Sequence, residues 1–120
     1  MGEREMLELA ARAAGIALAG DGVNGIFYDA LMGCVDADSD RHWNPLEDDG
    51  DALRLAVRLN MDVDIGRRVI SVAWFDAEGN VFELKEPGEK SGAEPFSATR
   101  RAITRAAAEI GKAIAPGAEK

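Results

Sequence analysis

The period of the apolar positions changes along this chain, and each change marks an element. Over residues 3 to 14, Met6, Leu9, Ala10 and Ala13 recur at the three-and-four spacing of one helical face, and Gly15 supplies the stop. A second helix is expected at about 50 to 60. Leu53, Ala56, Val57 and Asn60 share its stripe, Leu55 and Leu59 widen it, and Arg54 and Arg58 lie four apart on the wet side. The period then shortens to two. Val63 to Ile65, Arg68 to Phe75 and Val81 to Lys85 read as strands, the last two joined by residues 76 to 80, where Gly79 with Asn80 offers the positive-φ positions of a hairpin loop. A final helix from about 96 to 114 sets Ile103, Ala106, Ala107, Ile110 and Ile114 on its core stripe and ends at Pro116-Gly117.

The central strand constrains the layers. Ile70, Val72 and Trp74 alternate with Val69, Ala73 and Phe75, so both faces are apolar and both are expected to be covered, with Trp74 in the core. The fold class that follows is α+β, in the order α-(loop)-α-β-β-β-α. A small antiparallel sheet of three or four strands packs between helices, as in an α/β/α sandwich. One domain is expected over residues 1 to 120. Between the first two helices lies a weakly patterned, acidic, Gly- and Asp-rich loop at about 20 to 43, in which Gly25-Ile26-Phe27-Tyr28 reads as a short extended piece.

The entry to the second helix is the most distinctive stretch. Residues 43 to 59 read Trp-Asn-Pro-Leu-Glu-Asp-Asp-Gly-Asp-Ala-Leu-Arg-Leu-Ala-Val-Arg-Leu. Asn44-Pro45 is a turn dipeptide, Asp48 or Asp49 can cap the orphan amides that follow, and Asp51 sits at the positive end of the helix dipole. This stretch resembles the signature of small phage and prophage proteins of uncharacterised role, the group with a phage ABA sandwich domain. Residues 4 to 16 look like that family's opening helix and residues 98 to 110 like its closing one. The resemblance implies a sandwich architecture and a phage setting, and it implies no site residues.

Charge adds a direction. The net charge is −8, and it is uneven: residues 1 to 66 hold fourteen acids against five Lys and Arg, whereas residues 67 to 120 hold eight against nine. Residues 21 to 51 alone hold nine acids and one Arg. Such a field repels phosphate backbones and attracts basic protein surfaces. The single cysteine, Cys34, excludes an internal disulfide and fits a reducing compartment. Glu3, Glu5 and Glu8 stand where a secretory leader carries positive charge, and no apolar run approaches the ~18 residues of a membrane span. The expectation is a cytoplasmic protein, and the phage resemblance implies that the cell is a bacterial host.

Four constellations bear on chemistry. Asp36, Asp38, Asp40 and Glu47 occupy positions 1, 3, 5 and 12 of a Ca²⁺ loop. Arg41 replaces the glycine of its sharp turn, however, and Pro45 obstructs the helix that should begin there, so an ordinary acidic loop is the better reading. Cys34 and His42 are each the only one of their kind, and an acidic setting raises a thiol's pKa where nucleophilic catalysis wants it lowered. The helix-strand-strand-strand-helix run from about 50 to 114 has the order of a double-stranded-RNA-binding domain, with Arg100, Arg101 and Arg105 early in the last helix. The overall acidity, Asp62 and Asp64 on the first strand, and the lack of a lysine cluster oppose that reading. Finally, Arg101, Arg105 and Lys112 align on one face of the last helix, either as a charged face in water or as a complement to the acidic half of a second copy.

No arrangement spells out an enzyme or a cofactor site. The sequence points to a protein that acts by binding a protein with a basic surface, or by self-association. The candidates for that contact are Asp36, Asp38, Asp40, Asp48 and Asp49. The alternative is a nucleotide- or RNA-binding module using Arg100, Arg101 and Arg105.

Overall fold

The computed structural model describes residues 2–16, 18–19, 28–29, 43–87 and 95–114. In chain order the elements are α1 (Glu3–Ala14), β1 (Leu18–Ala19), β2 (Tyr28–Asp29), α2 (Asp49–Arg58), β3 (Asp62–Ile65), β4 (Val69–Phe75), β5 (Val81–Pro87) and α3 (Pro95–Ala113). Strands β3, β4 and β5 form an antiparallel sheet in that order, and β1 pairs with β2 in a separate antiparallel pair. This is the α+β class expected, with three strands in the main sheet. Of the extended piece at 25 to 28, only Tyr28 is described, and it lies in β2.

Local chemistry sets the element ends. Gly15 takes a left-handed φ of 71° and, with Ile16, returns its amide to the last carbonyls of α1. Asp48 caps α2, its carboxylate accepting from the Asp51 amide at 2.8 Å. Asn60 terminates α2 with a φ of 52°, and the Met61 amide reaches back to the Ala56 carbonyl at 3.0 Å. Asn60 is thus a C-terminal cap and not a member of the core stripe. Pro95 opens α3 at a position where a missing N–H costs nothing. In the β4–β5 turn only Gly79 has positive φ, at 85°. Asn80 contributes differently from the expectation: its backbone and side-chain amides both donate to Asp76, at 2.9 and 3.0 Å.

Helix α3 is the centre of the packing. It lies along α1, across β4 and β5, and against α2. Helix α3 covers one face of the sheet and α1 and α2 pack on α3, so that Ile70, Val72 and Trp74 share one core with Leu7 and Ala10 of α1, Leu55 and Ala56 of α2, and Ala102, Ile103 and Ala106 of α3. Trp43, just before α2, belongs to that core at 6 % exposure, which its place beside an acidic loop did not suggest. Phe82 stacks on Trp74, ring centroids 5.8 Å apart.

Two packing expectations need correction. The second face of the sheet is open among the described residues, with Phe75 59 % and Val69 39 % exposed. The register explains this: Asp62 and Asp64 of β3 and Glu83 and Lys85 of β5 share that face, so it is mixed in polarity and tolerates water. In α2, the buried residues are Asp51, Ala52, Leu55 and Ala56, whereas Leu53 and Val57 are exposed. The stripe is turned from the one the large side chains suggested. Asp51 holds the helix in this rotation, accepting from the Asn44 amide at 2.9 Å and from Arg54 at 2.7 Å.

Candidate protein-binding groove

The rotation of α2 leaves an apolar concavity of about 500 Å³ between α2, β3 and the start of α3. Ala52, Leu53 and Ala56 form one wall, Val63 and Ile65 another, and Pro95, Phe96, Thr99 and Ile103 the third. Its rim is unusually apolar for a water-facing surface. Leu53 is 63 % exposed, Ile65 62 % and Phe96 62 %, and Val57 lies one turn beyond Leu53 on α2. The volume falls within the ~300–1,000 Å³ range of ligand-sized sites.

One end of the groove is fixed by polar ties. Arg100, from the second turn of α3, donates to the Asp49 carboxylate at 2.6 Å and to the Leu46 carbonyl at 3.0 Å. Asn44 is joined to α2 through Asp51 and accepts from the Leu46 amide at 3.0 Å. The turn before α2, the start of α2 and the start of α3 therefore form one hydrogen-bonded unit beside the apolar walls.

The charged candidates are largely engaged within the molecule. Asp48 is the cap of α2, and Asp49 pairs with Arg100. Glu86 of β5, buried on the helix side of the sheet, pairs with Arg105 and lies 3.9 Å from the Arg101 guanidinium. Lys112 pairs with Glu109. The face of Arg101, Arg105 and Lys112 is therefore laced with carboxylates. Glu47 is exposed, while Cys34, Asp36, Asp38, Asp40 and His42 lie outside the described residues. Among the described residues no three His, Cys, Asp or Glu side chains gather as metal ligands, and no helix is long and apolar enough to cross a membrane.

A second concavity, about 520 Å³, lies at the opposite end of α3, between the β4–β5 hairpin and Ile110. The Trp74–Phe82 stack forms part of it, and Asp76 and Glu109 edge it. Hydrogen bonds from the Asn80 side chain and from the Asn80, Glu78 and Gly79 amides hold the Asp76 carboxyl below its ordinary pKa.

Sequence reasoning missed the first groove because its apolar residues come from three separate elements. The available signal was Leu53 and Val57, four apart in α2 and in excess of the stripe formed by Ala52, Leu55, Ala56 and Leu59. No family model, curated protein or solved structure matches the chain.

Proposed function

We propose that this chain is a small accessory protein of phage or prophage origin that works in the host cytoplasm by binding another protein, as a host-interaction or counter-defence inhibitor does. The groove between α2, β3 and α3 is the docking site. The observation that carries the reading is the exposure of Leu53, Ile65 and Phe96 around one concavity. Fully burying such a side chain is worth about 1.5–3 kcal/mol, so three that are more than half exposed hold several kcal/mol for a partner. The net charge of −8 favours a partner with a basic surface.

The RNA-binding alternative draws on Arg100, Arg101 and Arg105. Arg100 and Arg105 are hydrogen-bonded to Asp49 and Glu86, and leaving those carboxylates would cost the contacts that join α3 to α2 and to β5. The protein-binding reading asks for no such rearrangement. Its test is capture from host lysate with the wild type and with a Leu53→Asp/Phe96→Asp variant, both sites being exposed and the variant's fold checked by circular dichroism. A basic protein retained by the wild type and lost by the variant is the expected result. Equal recovery by both, or salt-sensitive binding of a short duplex RNA in place of any protein, overturns the reading.

A further inference from the structure

The groove has a second property besides its apolar walls: one of them, β3, is an edge of the sheet. Among the described residues no strand pairs with the side of β3 that faces away from β4. The Gly66 amide donates to the Val69 carbonyl at 3.0 Å across the two-residue turn Arg67-Arg68. In an antiparallel ladder, hydrogen-bonded and non-hydrogen-bonded pairs alternate. With Gly66 opposite Val69 in a bonded pair, Asp64–Ser71 and Asp62–Ala73 are bonded pairs too, and Ile65–Ile70 and Val63–Val72 are not. Val63 and Ile65 therefore direct their N–H and C=O groups to the outer edge. Their side chains meanwhile line the groove.

The opposite alternation carries charge. Asp62 and Asp64 are exposed, and both point to the open face of the sheet. A strand laid beside β3 would place every second side chain opposite Val63 and Ile65, toward Leu53 and Phe96, and the others opposite Asp62 and Asp64. Directly opposed side chains on one face sit within about 5.5 Å, where opposite charges attract and like charges repel.

We infer that the partner enters as an extended segment of alternating apolar and basic residues, added as a fourth strand to the outer edge of β3. The apolar residues fill the groove, the Lys or Arg residues pair with Asp62 and Asp64, and the backbone bonds to Val63 and Ile65. This rests on the protein-binding reading above and specifies its mode. A second copy of the chain fits less well. Two β3 strands paired across a two-fold axis would bring four aspartates onto one face, in a protein already at −8.

The test uses the whole chain and a short fluorescent peptide of alternating Lys and Val, with a block-scrambled peptide of the same composition and a Glu/Val peptide as controls. Anisotropy should show binding of the alternating Lys/Val peptide alone. Hydrogen exchange should slow at the Val63 and Ile65 amides when it binds. Asp62→Lys/Asp64→Lys, on an exposed face, should weaken the Lys/Val peptide about tenfold and admit the Glu/Val one. Val63→Pro should abolish binding while leaving the β4 ladder intact, because the amide it removes points outward. The inference is overturned by equal binding of the scrambled peptide, by binding as a helix without amide protection, by dimerisation of the chain through β3, or by no binding at all. If the captured protein of the preceding test is lost on Leu53→Asp/Phe96→Asp yet unaffected by the β3 variants, the strand mode falls and the protein-binding reading stands.

Discussion

Gly111 of α3 lies against the backbone carbonyl of Leu9 in α1 so closely that a Cβ atom would overlap the Leu9 oxygen. The two helices pack closely here, and buried alanines such as Ala10, Ala107 and Ala108 lie in the clusters they share. Two effects compete on Gly111→Ala. Helix propensity favours alanine by about 1 kcal/mol, whereas forcing apart a packed interface costs about 1–3 kcal/mol. The overlap is with backbone, which cannot rotate away, so the second effect wins. The variant should unfold at a lower urea midpoint with an unchanged slope. A higher midpoint would mean that the helices separate without loss.

Trp74 tests the sheet. It is 9 % exposed, faces the helices and carries Phe82 stacked on its ring. Trp74→Ala should cost about 3–5 kcal/mol, and Phe82→Ala less, since Phe82 is 45 % exposed. Chemical denaturation of both variants measures the order. A Phe82 loss equal to the Trp74 loss would place the aromatic core on the wrong strand.

Much of this architecture was legible in the sequence because it rests on local signals. Helix α1 has a stripe and a glycine stop, α2 has an aspartate cap, and β4 has strict alternation. The rotation of α2 was not legible. Large side chains dominate a hydrophobic pattern, so Leu53 and Val57 outweighed Ala52, and the helix dipole was explanation enough for Asp51. Its burial depends on the Asn44 amide, seven residues away, and on Arg54. The groove was hidden for a related reason: Arg100 and Asp49, whose pairing closes its end, are 51 residues apart. Contacts at such separations follow from the assembled core, and no local period encodes them.

The turn at Asp76 makes stability depend on pH in a defined sense. The Asn80 side chain and the amides of Asn80 and Glu78 all donate to its carboxylate, and its pKa is lowered in the folded state. A depressed folded pKa means that the ionised group stabilises the fold above the unfolded value, and that this contribution is lost as pH falls through the folded one. Asp76→Asn should therefore melt lower than the wild type at neutral pH, and the two curves should converge in strong acid. Melting temperature against pH for both proteins checks this. A gap that stays constant into acid would show that the carboxylate's charge plays no part in the turn.

Leu55 and Leu53, two positions apart in α2, decide which face of that helix is the core. Leu55 is 2 % exposed against the helices and sheet, while Leu53 is 63 % exposed on the groove rim. Truncating a buried leucine removes its transfer free energy and leaves a cavity, so Leu55→Ala should cost about 2–5 kcal/mol. Leu53→Lys keeps helix propensity and changes only a rim, so it should fall within about 0.5 kcal/mol of the wild type. The same lysine should abolish partner binding, because it places a charge among apolar walls and repels the basic residues of the incoming chain. Urea midpoints for both variants, read beside partner capture, separate stability from function. A large loss of stability at Leu53 with a small one at Leu55 would restore the stripe of Leu53, Ala56 and Val57, and the groove would then be part of the core.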